Sequence, residues 1–119
     1  MPLTSKPPGA LSVQVFQILL SLADGPRHGY AMIQDIRERT NDEVRLTAST
    51  LYDALARLVD QAWIEQSDPP DDAPDHDSRR RYYRLTKIGR EAAVRETARL
   101  QRLLDMAREK KLAPGRPRR

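Results

Sequence analysis

A mainly α chain of the α+β class is what the sequence predicts, and three observations carry that expectation. Apolar residues recur at helical spacing in four separate segments. Between the last two lie two short strand-like runs, parted by a loop of prolines and aspartates. The final helical segment runs for about 25 residues, more than a chain of this size needs to cover its own core.

Taken in order, residues 1–9, MPLTSKPPG, hold three prolines and read as a flexible or loosely docked arm. From Ala10 to Leu22 the residues Leu11, Val15, Ile18, Leu19 and Leu22 mark the buried face of a first helix. Asp24-Gly25-Pro26 ends it, because Gly25 suits a left-handed cap and Pro26 cannot continue a helix. A second helix is expected from His28 to Arg39, with Tyr30, Ile33 and Ile36 on one narrow face, closed by Thr40-Asn41-Asp42. Residues 43–46, Glu-Val-Arg-Leu, fit a short strand.

Thr47 or Ser49 offers the N-cap of a third helix that reaches about to Gln61. Leu51, Leu55 and Leu58 share its buried face, supported by Ala54 and Val59, while Ser49, Asp53, Arg57 and Asp60 lie opposite. Trp63 to Gln66 reads as a strand, with Trp63 as a core residue. Residues 68–77, DPPDDAPDHD, carry five aspartates and three prolines and form an exposed loop. Arg80 to Leu85 is the returning strand. Thr86 caps the long fourth helix, and residues 113–119, APGRPRR, form a basic tail.

With 119 residues the chain suits one folded unit with a modest core. Residues 10–85 are expected to form a winged helix-turn-helix domain and residues 86–112 a dimerisation helix. The absence of cysteine removes disulfides and thiolate metal clusters, and fits a reducing, cytoplasmic setting. No apolar run approaches the ~18 residues of a membrane span. The net charge of +4 is a property of the C-terminus. Six of the 21 basic residues and one of the 17 acidic ones lie from Arg108 onward, so residues 1–107 hold 15 bases against 16 acids. Overall basicity therefore says nothing about nucleic acid, and the local distribution has to. Residues 79–84, RRRYYR, place four arginines in six positions.

The order helix, helix, short strand, helix, strand, loop, strand, long helix is that of a winged helix-turn-helix, whose third helix enters a major groove while the hairpin lies beside the backbone. Three blocks sharpen this. ILLSLADGPRHGYAMIQDI (Ile18 to Ile36), STLYDALARLVDQAWIE (Ser49 to Glu65) and RRRYYRLTKIGRE (Arg79 to Glu91) resemble the PadR family of bacterial transcriptional regulators. The resemblance covers about residues 10–112. With one long final helix, the chain is similar to the short subfamily that lacks a separate C-terminal helical domain. The resemblance implies a homodimeric repressor of double-stranded DNA, joined by its last helix with help from its first. Leu11, Val15, Leu100, Leu103, Leu104 and Ala107 are the expected dimer residues.

The expected DNA-facing residues fall in three groups. Thr47, Ser49, Thr50, Tyr52 and Arg57 belong to the third helix, where hydroxyls at a helix N-terminus suit phosphate. Tyr52 occupies the tyrosine of the family's TLY, which favours contact with DNA over core packing. Arg57 either reaches phosphate or pairs with Asp53 or Asp60. His28 and Tyr30, in the family's HGY, serve either core and turn architecture, with the Tyr30 ring buried, or phosphate contact.

Strand alternation sorts the wing: Arg81, Tyr83 and Leu85 on one face, with Tyr83 and Leu85 inward, and Arg80, Tyr82 and Arg84 exposed on the other. Arg79, Arg80, Arg81, Tyr82 and Arg84 are read as DNA contacts, against the alternative of an edge strand kept soluble by charge. The aspartates of the loop would be repelled by phosphate, so the tip swings clear or shields the arginines. They lack the spacing and glycine of an EF-hand, so no metal is expected.

Neither His28 nor His76 sits in a catalytic signature, so neither an enzyme nor a cofactor is expected. Some PadR-like regulators hold planar aromatic ligands between tryptophans at the dimer interface. The final helix here has no Trp, so that mode does not carry over and any small-molecule effector is unidentified. The rival reading is a winged-helix protein-interaction module that does not bind DNA, favoured by the near-neutral body and the acidic loop.

Overall fold

A computed structural model describes residues 10–74 and 79–114. Among them are four helices, α1 (Val13–Ser21), α2 (Gly29–Arg39), α3 (Ala48–Asp60) and α4 (Lys87–Glu109). Three strands, β1 (Arg27–His28), β2 (Ile64–Ser67) and β3 (Tyr82–Leu85), form one antiparallel sheet in the order β1-β3-β2. Residues 1–9 and 115–119, which hold the expected N-terminal arm and most of the basic tail, lie outside the described residues, as do loop positions 75–78.

Each helix begins on a side chain that accepts a hydrogen bond from a backbone amide the helix cannot satisfy itself. Ser12 accepts from Val15, Thr47 from Thr50 and Thr86 from Gly89, at 3.0–3.1 Å. Thr47, not Ser49, is thus the cap of α3. In α2 the cap is His28, whose Nδ1 accepts from the Ala31 amide at 3.1 Å.

Helix α3 turns Leu51, Ala54, Leu55 and Leu58 inward, one apolar stripe at helical spacing. They join Ile18, Leu19 and Leu22 near α1, Met32 and Ile36 of α2, Leu46, Ile64 and Tyr83 in a single core. Val59, expected to support this stripe, is exposed, since it sits past the edge of the buried face. Trp63 is half-buried at the core's margin.

Two expectations about strands change. Residues 43–46 form no strand; Leu46 is buried, and the Val44 amide donates to Thr40 Oγ1 at 3.0 Å, so the segment is an anchored connection. The third strand is Arg27–His28, which pairs with β3 in the register Arg27↔Tyr83 and His28↔Tyr82. β3 is therefore the central strand, with β2 on its other side in the register Ile64↔Leu85 to Ser67↔Tyr82. That corrects the reading of Tyr82 as exposed. Tyr82 is 5% and Tyr83 4% accessible, because the His28 ring, 5.3 Å from that of Tyr82 and edge-on to it, covers the face that alternation assigned to solvent. Gly25 has φ +151°, a conformation side chains avoid, but it lies beyond the cap of α1 at Leu22.

The base of the hairpin is clamped to α4. The Thr86 amide donates to the Trp63 carbonyl at 3.0 Å, and the Thr86 hydroxyl donates to the Ala62 carbonyl at 2.6 Å. Gly89 then crosses the Trp63 peptide so closely that a Cβ there would overlap the Trp63 carbonyl oxygen. Two turns further on, Glu96 is 2% accessible and receives both Nε and a terminal nitrogen of Arg99 at 2.9 and 2.6 Å. The Arg99 hydrogen bonds hold its carboxyl below the ordinary 4.5, against the pull of burial; the Arg99 charge and the Leu11 amide act in the same direction as those bonds. The pair lies within α4, one turn apart.

Both ties can be measured. Gly89→Ala must displace backbone, not a side-chain tip, and is expected to cost about 1–3 kcal/mol of unfolding free energy in urea titration. A Glu96 value lowered on folding stabilises fully above the ordinary 4.5 and loses that contribution as pH falls through the lower folded value. Thermal melts from about pH 6 down to about pH 3 should therefore show a shallower acid loss for Glu96→Gln than for the wild type.

Candidate nucleic-acid interface

The start of α3, the start of α2 and the approach to β3 meet on one side of the sheet. An open concavity of about 520 Å³ lies there, lined by Tyr52, Gln66, Ser67, Arg79, Arg80, Arg81 and Tyr82. A smaller recess of about 330 Å³ shares Tyr52, Gln66 and Arg81 and runs on along Ala56, Val59 and Asp60. Arg79 to Arg81 precede β3, so they follow an irregular path and are all exposed, free of the alternation that governs Tyr82 to Leu85.

On α3, Thr47, Ser49, Thr50 and Arg57 are exposed and Tyr52 is half-exposed. The Thr47 hydroxyl donates to Thr50 Oγ1 at 3.0 Å while accepting the Thr50 amide, so Thr47 is committed to the cap. Ser49 and Thr50 present their hydroxyls at the positive end of the helix dipole, where an anion is favoured by about 0.3–1 kcal/mol. Among the described residues Arg57 makes no ion pair with Asp53 or Asp60.

The α2 pair separates. His28 is 7% accessible, held as cap and sheet residue. Tyr30 is 53% accessible, which corrects the expectation of a buried ring. Its first-turn position on α2 points it past the sheet's edge, where Gln34 Nε2 donates to its hydroxyl at 2.9 Å. The Arg80 guanidinium stands 5.5 Å from the Tyr30 ring centre, within cation–π range, so Tyr30 and the wing approach share one surface.

Arg84 lies elsewhere. Its Nε donates to Glu65 at 2.6 Å across the β2–β3 pair, and it borders a different recess with Arg90, Leu85 and residues 22–26. Gln34, Gln66 and Ser67 were missed by the sequence reading. Only Gln34 carried a signal, its four-residue spacing from Tyr30 on one helix face. Gln66 and Ser67 become site residues solely through the strand register. Among the described residues, no group of three or more histidines and carboxylates is placed to hold a metal ion. No described helix is long and apolar enough to cross a membrane.

These elements define a winged helix-turn-helix with an arginine-rich wing approach. Residues 18–95 match the Transcriptional regulator PadR-like family, and the chain belongs to that family, one of transcriptional regulators and not of enzymes. An uncharacterized protein X of Lysinibacillus sphaericus is 31% identical over 97 residues, covering 77% of this chain and 84% of that protein. A PadR family transcription regulator of Clostridium difficile has the same fold, with a TM-score of 0.70 at 22% identity over 82% of this chain and 97% of that one. A transcriptional regulator from Clostridium thermocellum superposes with a TM-score of 0.65 at 25% identity, over 80% of this chain and 89% of that one.

The Arg84–Glu65 pair is solvent-exposed on both sides, and such pairs contribute about 0–1 kcal/mol. Arg84→Ala is accordingly expected to shift the unfolding free energy by no more than about 1 kcal/mol in denaturant titration.

Proposed function

We propose that this PadR-like regulator binds double-stranded DNA as a homodimer and represses transcription from a roughly palindromic operator. The observation that carries the reading is the concavity between Tyr52 of α3 and Arg79–Arg81, which brings a helix start and three exposed cations onto one surface. In this arrangement α3 enters the major groove, with Ser49, Thr50, Tyr52 and Arg57 toward the DNA. Arg79, Arg80 and Arg81 rest on flanking phosphates, and Tyr30 adds a contact from α2. Tyr82 and His28 support that surface from beneath.

The homodimer reading is supported by α4. Its 23 residues extend about 34 Å, and Leu100, Leu103 and Leu104 are 39%, 47% and 37% accessible in a row that Ala107 continues. That row has no partner among the described residues, and an apolar helix face of this length suits the same face of a second copy. Leu11 and Val15 are half-buried against this chain's own core, which leaves them at the margin of such a contact. Two-fold symmetry would place half-sites about 34–36 Å apart.

Replacing Arg79, Arg80 and Arg81 together by Ala is expected to lower the slope of log affinity against log salt by about 0.9 for each phosphate that is no longer neutralised. An unchanged slope in fluorescence anisotropy removes the wing approach from the phosphate interface. Leu103→Asp with Leu104→Asp is expected to give monomers in sedimentation velocity; a dimer that persists at the wild-type affinity contradicts the α4 interface.

A further inference from the structure

We infer that the dipeptide His28-Gly29 is the point that sets the distance between the recognition helix and the wing, with each residue positioning a different DNA-facing element. The inference rests on the DNA-binding reading above and extends it to residues that need not touch DNA. His28 ends β1 and caps α2, so its backbone is fixed from both sides. Its ring packs edge-on against Tyr82 at 5.3 Å and parallel to Tyr30, with centroids 6.4 Å apart and planes inclined by 11°. Tyr82 follows directly on Arg81, and Tyr30 lies under Arg80. The histidine ring therefore locates both residues on which the arginine segment is seated.

Gly29 performs the matching task for α3. A Cβ on it would stand 2.5 Å from the Tyr52 hydroxyl and 2.8 Å from the adjoining ring carbon. Absence of a side chain at position 29 is thus what lets the Tyr52 phenol lie against the start of α2 and face the concavity with Arg79–Arg81. The nearest atoms in the way belong to the far end of the movable Tyr52 side chain, with Leu51 Cδ2 next at 3.2 Å, so a substitution there should re-aim Tyr52 while Leu51 gives by only a few tenths of an ångström. One peptide unit consequently carries the seats of α3's tyrosine and the wing's arginines.

A double-mutant cycle separates this from a merely structural role. The probe is a duplex selected by the wild-type protein from a randomised library, read by anisotropy. Gly29→Ala is expected to weaken binding about tenfold, the equivalent of one charge-assisted hydrogen bond to phosphate. It should weaken it no further in a Tyr52→Ala background, and full additivity overturns the assignment of Gly29. For His28, Asn keeps a cap acceptor without a ring and Phe keeps a ring without the cap. His28→Phe should retain more affinity than His28→Asn, although it melts lower; the reverse order overturns the assignment of His28. Aromatic NMR spectra of the free variants decide the matter without DNA. Tyr52 ring resonances should move in Gly29→Ala and Tyr82 ring resonances in His28→Asn, and unmoved rings sink the inference. If the library yields no enriched duplex, the DNA-binding reading fails while the NMR arm still stands.

Discussion

β3 is four residues long, paired along its length with β2 on one side and at Tyr82 and Tyr83 with β1 on the other. This pairing fixes which way the residues of β3 face. Tyr83 goes to the core, Tyr82 to the His28 ring, and Arg84 to Glu65. What lies before the strand, Arg79 to Arg81, escapes this ladder and stays exposed. The wing is thus a rigid stem holding a short irregular cationic segment beside α3, and the candidate interface exists because the stem is fixed.

The stem is held from below as firmly as from the side. Thr86 bonds back to Trp63 and Ala62, and Gly89 lies against the same peptide, so the turn from β3 into α4 has almost no freedom. Further along α4 the buried Glu96 is paired with Arg99 of the same helix. A buried carboxylate is costly unless paired and hydrogen-bonded, and here it is both. The distal half of α4, beyond these ties, projects its leucines outward. A continuous chain of contacts consequently runs from the wing approach through β3 into α4, which carries the apolar row.

Much of this was legible in the sequence because it rests on periodicity and caps. The α3 stripe, Thr86 as a cap and the apolar row of α4 all follow from spacing alone. The remainder depends on contacts between distant segments. A two-residue strand such as Arg27-His28 has no periodicity to detect, and without it alternation placed Tyr82 in solvent. The alternating Val44 and Leu46 imitated a strand, but β3 had already given that edge to β1. Tyr30 looked like part of a buried face until its place in the first turn set it beyond the sheet. Gly89 became meaningful only when the Trp63 carbonyl was found against it.

The central claim is that one face, formed by the starts of α3 and α2 and the approach to β3, receives the DNA. Amide chemical-shift perturbation on adding a duplex selected from a randomised library tests it most directly. The largest shifts are expected on residues 47–52, Tyr30 and Arg79–Tyr82, with little change along Leu100–Ala107. Perturbations concentrated on the α4 row, or around Arg84 and Arg90, would contradict it.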